Sequence, residues 1–512
     1  MKRFAVCWIP VLVLILSVGS IAVWVYMNQT TFWLYPFRSD TETVFAPRAA
    51  HVEQTSVLSS NSGDSLFKQI TTETGTAAPS PYSGVWPSFR GPTGNSLVEN
   101  APPLLDQLPP EGPKRLWEIE LGEGYAGAAV YEGALYALDY DQPRKRDVLK
   151  CLSLDSGALI WSVGYPSDVK RNHGMSRTIP AVDDRFVVTI GPHCQVLCVD
   201  RKTGNPLWIK DLPSELGAVV PQWYAGQCPV LANGAAVVIV GGPDALIIKI
   251  DCQTGKILWK SPNPHNWTMP HSSLTALNLD GKRSWTLAGM EGVCCVRDED
   301  GSLIWETTGW KANQAMCPSP VVLYSRDDSQ TGSQTGSHNL SDIDLSKSNS
   351  KSKTTLAAKL LIAGGYNTGS MIIEIHSSND PKGSYSVKTE KWGFRKFSSM
   401  QQTPVVFKDG WFGTRETRKQ MVCFDFDGNP LWDSGRDSFG WGPYLAADGK
   451  IFIMDDFGRL TVARLNATRF EPLYSFQAFQ DSHDSWGPMA LVGSRLIVRD
   501  MTRMACFDLG TK

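Results

Sequence analysis

The chain has 512 residues, 42% of them hydrophobic, with 49 basic and 51 acidic side chains and a formal charge of −2. That is ample apolar material for one large or several ordinary cores, which excludes a disordered chain. The balanced charge excludes a nucleic-acid partner, because such binders carry a basic excess.

Met1-Lys2-Arg3 is followed by an uncharged apolar run from Phe4 to Met27, long enough to cross a bilayer as a helix. Residues 1–27 are therefore expected to form a single-pass anchor in the cytoplasmic (inner) membrane. Lys2 and Arg3 hold the short end inside, and Trp24, Tyr26, Trp33 and Tyr35 sit at the far interface. A cleaved signal peptide is the alternative, with Ser17-Val18-Gly19-Ser20 offering small residues near a cleavage point. Either way the remainder lies on the extracytoplasmic (periplasmic) side. Residues 28–84, Ser/Thr/Pro-rich beyond Arg38, read as a flexible tether, and 85–512 as the folded domain. The basic run Arg144-Lys145-Arg146 reads as a solvated loop tip.

Within 85–512 a unit recurs in which an apolar strand ends at Asp, a Thr-Gly turn follows, and a second strand carries Trp. VDRKTGNPLW ends at Trp208, IDCQTGKILW at Trp259 and VRDEDGSLIW at Trp305, with shortened copies ending at Trp161 and Trp432. The Asp carboxylate accepts from turn amides and the Gly supplies positive φ. Upstream of these units, Glu132-Gly133, Asn233-Gly234, Asp280-Gly281, Asp409-Gly410 and Asp448-Gly449 separate β-rich runs and read as hairpins. A period of about 45 residues therefore makes a four-stranded antiparallel sheet. Sheets of this kind bury their faces by stacking into a closed ring, so the expected fold is an all-β, eight-bladed β-propeller. Outer strands are expected at Trp161, Trp208, Trp259, Trp305, Trp392, Trp432 and Tyr474. The eighth blade joins RLWEIEL around Trp117 to three C-terminal strands. A seven-bladed ring is the alternative. The polar stretch 325–355 reads as a disordered insertion between the first and second strands of one blade.

Connections between blades share one face with the second-to-third-strand hairpins, and ligands of propellers gather there. Candidates on these connections are His173, Arg177, Trp223, Trp267, His271, Trp310, Gln314, Arg395, Trp441 and Trp486. Their aromatic and polar mixture suits a flat ring, a sugar or a protein segment. Hairpins of the same face could supply Asp244, Glu291, Asp455, Asp456 and Asp500, with Asp455-Asp456 read as solvated. No zinc, nucleophile-elbow or phosphate-loop motif is present.

The repeat resembles that of pyrroloquinoline quinone (PQQ) dehydrogenase-like propellers, with blades of the form ALDxxTGxxxW, over nearly everything from Trp86 onward. The stretch WPSFRGPTGNS, Trp86 to Ser96, is similar to the opening of membrane-linked or secreted PQQ-like repeat proteins of planctomycete-type bacteria, with Asn95-Ser96 departing from the usual Gly. The resemblance implies one of two functions. A BamB-like member is a non-enzymatic scaffold binding an envelope protein or small ligand, here as a monomer without a cofactor. A quinoprotein oxidoreductase of alcohols or sugars would hold PQQ and Ca²⁺ in the funnel. A carbohydrate-binding module using exposed Trp residues is a third reading. Cys7, in FAVC, lacks the context of a lipidated cysteine, so the anchor is expected to be a helix.

Cys294-Cys295 matters to this choice, because quinoprotein alcohol dehydrogenases carry an adjacent disulfide beside PQQ. In the repeat register, however, Cys198, Cys295, Cys423 and Cys506 occupy the position where the family has a small buried Ala. Cys294 then falls on the opposite face of the same strand. Two free core thiols are the expectation.

Overall fold

The computed structural model describes residues 62–172, 174–327, 354–378 and 384–511. Eight sheets form from the repeat, each running from an inner strand to an outer strand that carries the repeat Trp or, in blade 7, Tyr474. Blade 1 comprises Ala128–Tyr131, Ala134–Asp141, Arg146–Ser153 and Leu159–Pro166. Blades 2 to 7 follow in order, with inner strands at Ala181–Val182, Val230–Ala232, Thr275–Leu279, Val321–Ser325, Val405–Phe407 and Tyr444–Ala447. Blade 8 consists of Gly487–Val492, Arg495–Arg499 and Arg503–Asp508, completed by the early strand Lys114–Glu120. Trp117 there pairs with Cys506, so the ring closes by joining the two ends of the domain, as the sequence predicts. The protein is an eight-bladed, all-β propeller.

Local chemistry explains the blades. Both residues of Glu132-Gly133, Asn233-Gly234, Asp280-Gly281 and Asp448-Gly449 have positive φ, the signature of type I′ hairpins. Asp409-Gly410 turns differently, with Gly410 at φ 158°. At the repeat turn, Asp200 Oδ1 accepts from the Lys202 and Thr203 amides and the Thr203 hydroxyl. The outer strand then bulges in seven blades. Trp208 opposes Cys198 and Pro206 opposes Val199, so Leu207 is the extra residue. The same skip falls on Ile160, Leu258, Ile304, Leu431, Leu473 and Leu116. It presses Trp inward and turns its apolar neighbour outward, which is why Leu258 and Leu431 are exposed.

Each inward Trp packs on the next blade. Glycine turns at 157, 204, 255, 301 and 428 lie flat against Trp117, Trp161, Trp208, Trp259 and Trp392. A Cβ on Gly204 would stand 2.6 Å from the Trp161 ring. The indole N–H groups of Trp117, Trp208, Trp259 and Trp432 donate across the junction to carbonyls at 2.9 Å. The repeat glycine thus serves both the turn and the neighbouring ring.

A second set of contacts runs around the channel, two residues before each inner strand. The Ile179 amide donates to Cys228 Sγ, Cys228 N to Ser273 Oγ, Ser273 N to Ser319 Oγ, and Ser319 N to Thr403 Oγ1, at 2.9–3.2 Å. This chain stitches blades 2 to 6. At the closing seam, fully buried Arg499 takes over, donating to the carbonyls of Ala126, Leu138 and Gly122.

The boundary drawn at residue 85 needs correction. Within the stretch assigned to the tether, α1 (Ser62–Phe67) forms and β1 (Thr71–Thr74) adds to the outer strand of blade 1. Its backbone finds ladder partners on that edge despite a composition with no hydrophobic periodicity. Next, β2 (Val85–Trp86) pairs with the inner strand of blade 1, and β3 (Leu97–Val98) with that of blade 7. The insertion is also narrower than 325–355. Blade strands extend through Ser325 and resume at Thr354, and 328–353 lie outside the described residues. Among the described residues no helix is long and apolar enough to cross a membrane. The run Phe4–Met27 lies outside them.

Candidate functional site at the channel mouth

Inner strands begin at the face that carries the inter-blade connections, so residues just before them converge on the mouth of the channel. The opposite half of the channel is filled by the segment from β2 to β3. Its backbone is held by the inner strands of blades 1, 2 and 7, with the Val182 amide donating to Pro87 O at 2.8 Å. Arg90, buried, reaches Pro404 O before blade 6 at 3.4 Å.

Of the predicted residues, the structure brings together Arg177, Trp223, His271, Trp441 and Trp486. The Arg177 guanidinium lies 5.7 Å over the Tyr125 ring. Tyr125 packs on Trp486 at 5.3 Å, and Trp486 on Trp441 at 5.7 Å. Across the mouth, Trp223 stacks between His271 (6.0 Å) and Tyr366 (5.9 Å). Burial, reinforced by the charge of Arg177, lowers His271 to about 4, so it is neutral at neutral pH. Burial also raises Tyr125 and Tyr366, and lifts the Cys317 thiol to about 12.

Other candidates do not belong to the cluster. Trp267 and Trp310 are 4% and 3% exposed and plug blade tops, packed on Gly292 and Gly364. Gln314 and Arg395 are exposed on connections, and Arg395 rests on Phe394. His173 lies outside the described residues.

Sequence reasoning missed Tyr125, Tyr366 and Lys419. Asp456, read as solvated, turns inward instead. Its Oδ1 accepts from the Trp486 indole and the Trp441 amide, each at 2.8 Å, while Oδ2 pairs with Lys419 at 3.3 Å. Lys419 also lies 4.4 Å over the Trp441 ring. Its neighbour Asp455 caps its own turn. Tyr125 was findable, since it precedes an inner strand as Arg177 does.

A calcium–PQQ centre requires several oxygen ligands including free carboxylates. Both oxygens of Asp456 are committed, and Glu123 is held bidentate by Arg171 at 2.7 Å. Among the described residues no cluster of three His, Cys, Asp or Glu is placed to hold a metal. This donor set does not fit calcium. Cys294 and Cys295 are free, fully buried, and point into the cores on opposite sides of blade 4. Cys295 lies directly across from Trp305.

Residues 144–323 match the family model described as "Outer membrane protein assembly factor BamB". The quinoprotein alcohol dehydrogenase PedH of Pseudomonas putida is 25% identical over 155 residues, 28% of this chain and 24% of that protein. The 1-butanol dehydrogenase (quinone) of Thauera butanivorans is 23% identical over 172 residues, 32% of this chain and 25% of that protein. The chain thus spans about a quarter of the length of these relatives. Among solved structures, BamB from Moraxella catarrhalis covers 77% of this chain and 97% of its own, at 12% identity and a TM-score of 0.47. A quinohemoprotein alcohol dehydrogenase from Pseudomonas putida HK5 covers 84% and 81%, at 13% identity and a TM-score of 0.42. The fold and the repeat together define a PQQ-like repeat β-propeller.

Proposed function

We propose that this protein is a binding platform without chemistry of its own, which presents the channel mouth to a protein or ligand on the extracytoplasmic side of the membrane, anchored through Phe4–Met27. The carrying observation is the half-buried aromatic cluster around Arg177, whose carboxylates are consumed in holding it together and not left free for catalysis. The match to the BamB family model supports a scaffold. Photo-crosslinking residues placed at Trp223, Trp441 or Trp486 should give one discrete adduct in cells. The same residue at Leu303, exposed on the outer strand of blade 4, should not. Equal labelling from both places would overturn the reading.

A second reading, a quinoprotein oxidoreductase of alcohols or sugars, draws support from the similarity to PedH. Saturable tryptophan quenching by PQQ with Ca²⁺, together with substrate-dependent dye reduction, would establish it in place of the platform.

A further inference from the structure

Two side chains meet at each junction between blades, and the inward Trp fixes both of them. Trp208 and Trp259 lie directly across from Cys198 and Lys249 on their own blades, and their indoles donate at 2.9 Å to Cys252 O and Asp298 O in the repeat turn of the next. Between blades 3 and 4 these two positions hold an ion pair, Lys249 with Asp298 at 2.8 Å. Between blades 2 and 3 they hold two cysteines. Both are free thiols, completely buried in one shared core. Cys198 Sγ donates to Cys252 O at 3.4 Å and lies within hydrogen-bond reach of the Cys252 thiol. The closing junction differs, since Trp117 lies across from Cys506 but donates to Leu154 O, so that no second thiol stands in the turn position. Where the adjoining junction matches a cation to an anion, this one matches thiol to thiol.

We propose that Cys198 and Cys252 are a site of disulfide formation, a covalent tie between blades 2 and 3 made by exchange with a disulfide donor while the chain folds. One thiolate attacks the donor S–S bond, which leaves a mixed disulfide and releases one donor thiolate. The second thiolate attacks the chain sulfur of that mixed disulfide; the Cys198–Cys252 bond forms and the other donor thiolate departs. The chain gives up two electrons and two protons, and the donor takes both. Burial raises the Cys198 thiol well above the ordinary range and covers both sulfurs, so the folded chain neither makes nor loses the bond readily. A chain that has met no donor keeps both thiols and is unchanged by dithiothreitol.

The test refolds the full chain from urea, either with oxidised and reduced glutathione together or with reduced glutathione alone. Free thiols are then blocked, and the protein is digested without reductant. Mass spectrometry should find the Cys198 and Cys252 peptides joined in the first sample and separate in the second. The two residues are 54 apart in sequence. Closing a loop of that length should favour the folded state by about a thousandfold in urea titration of the oxidised sample over the reduced one. C198A should lose both the joined peptide and the gain, whereas C423A, at the same repeat position in blade 6, should keep both. Should C198A fail to refold, C252A removes the other sulfur and serves in its place. Unlinked peptides in the oxidised sample, linkage of either cysteine mainly to a third, or a linked chain no more stable than the reduced one overturns the proposal.

Discussion

Asp147, on the third strand of blade 1, is completely buried. The Tyr165 hydroxyl donates to Oδ2 at 2.8 Å, but Oδ1 has no partner. Burial is the dominant influence and raises its pKa; the Tyr165 hydrogen bond opposes it, and the charge of Asp139 adds to it, leaving the carboxyl at about 7. In an unfolded chain an Asp titrates near 3.9. From about pH 4 to 7 the native state thus keeps a proton that the unfolded state has lost. Stability is then fully present below about pH 4 and falls by about 1.4 kcal/mol per pH unit until it levels off above pH 7, a total of roughly 4 kcal/mol. Asp139, held below its usual range chiefly by Lys150 against the opposing effect of burial, acts in the other direction, but only at lower pH. D147N keeps an acceptor for Tyr165 and does not ionise. Urea unfolding followed by tryptophan fluorescence from about pH 4 to 8 should show D147N and the parent nearly equal at the acid end. At the alkaline end the variant should be about 4 kcal/mol more stable. Parallel curves, or a variant less stable throughout, would refute the assignment of a buried protonated carboxyl.

Two glycine substitutions separate backbone from packing. Gly204 and Gly234 share φ 72°, but nothing lies within 4 Å of a Cβ at Gly234, whereas Trp161 is 2.6 Å from one at Gly204. G234A should cost about 1 kcal/mol in chemical denaturation and G204A about 2–4 kcal/mol; equal losses would mean that the Trp–Gly junction carries no packing energy. The adjacent cysteines give a third prediction. Cys294 and Cys295 should resist a thiol reagent in the native protein and both react after denaturation without reductant, with no change in unfolding midpoint on adding dithiothreitol. A peptide in which both remain unreactive would show a disulfide.

What was legible in the sequence is what a single blade determines. Tryptophans at a regular period specify outer strands, because most sit beside the same bulge and five of them pack on a turn glycine of the next blade. Cys295 could be placed because the position opposite the inward Trp holds a small residue in most blades, as Cys198, Cys423 and Cys506 do, with Lys249 of blade 3 the departure. The functional mouth obeys no such period. Trp267 and Trp310 occupy connections like those of Trp223 and Trp486, yet local glycines at 292 and 364 leave room for their rings within the blades. Asp456 turns inward only because Trp441 and Trp486 arrive from the connections into blades 7 and 8. Those encounters join the connections of neighbouring blades, whereas the packing of Tyr125 on Trp486 depends on ring closure, which brings together loops far apart in the chain.

The segment from β2 to β3 shows the same limit more sharply. WPSFRGPTGNS was recognisable as an opening motif, but its place inside the channel follows only from strand pairing with blades 1 and 7. Trp86 is 1% exposed, its ring lies against Gly91, and it shares a core with blades 1, 7 and 8. If the segment acts as a wedge that joins the first and last blades, W86A should cost about 3–5 kcal/mol, the range for emptying a buried aromatic site. W223A, at the half-exposed mouth, removes a ring with water already beside it and should cost far less. The same urea titrations measure both. A W86A loss below about 1 kcal/mol would mean that the ring is held by its own junctions and that the segment merely occupies the channel.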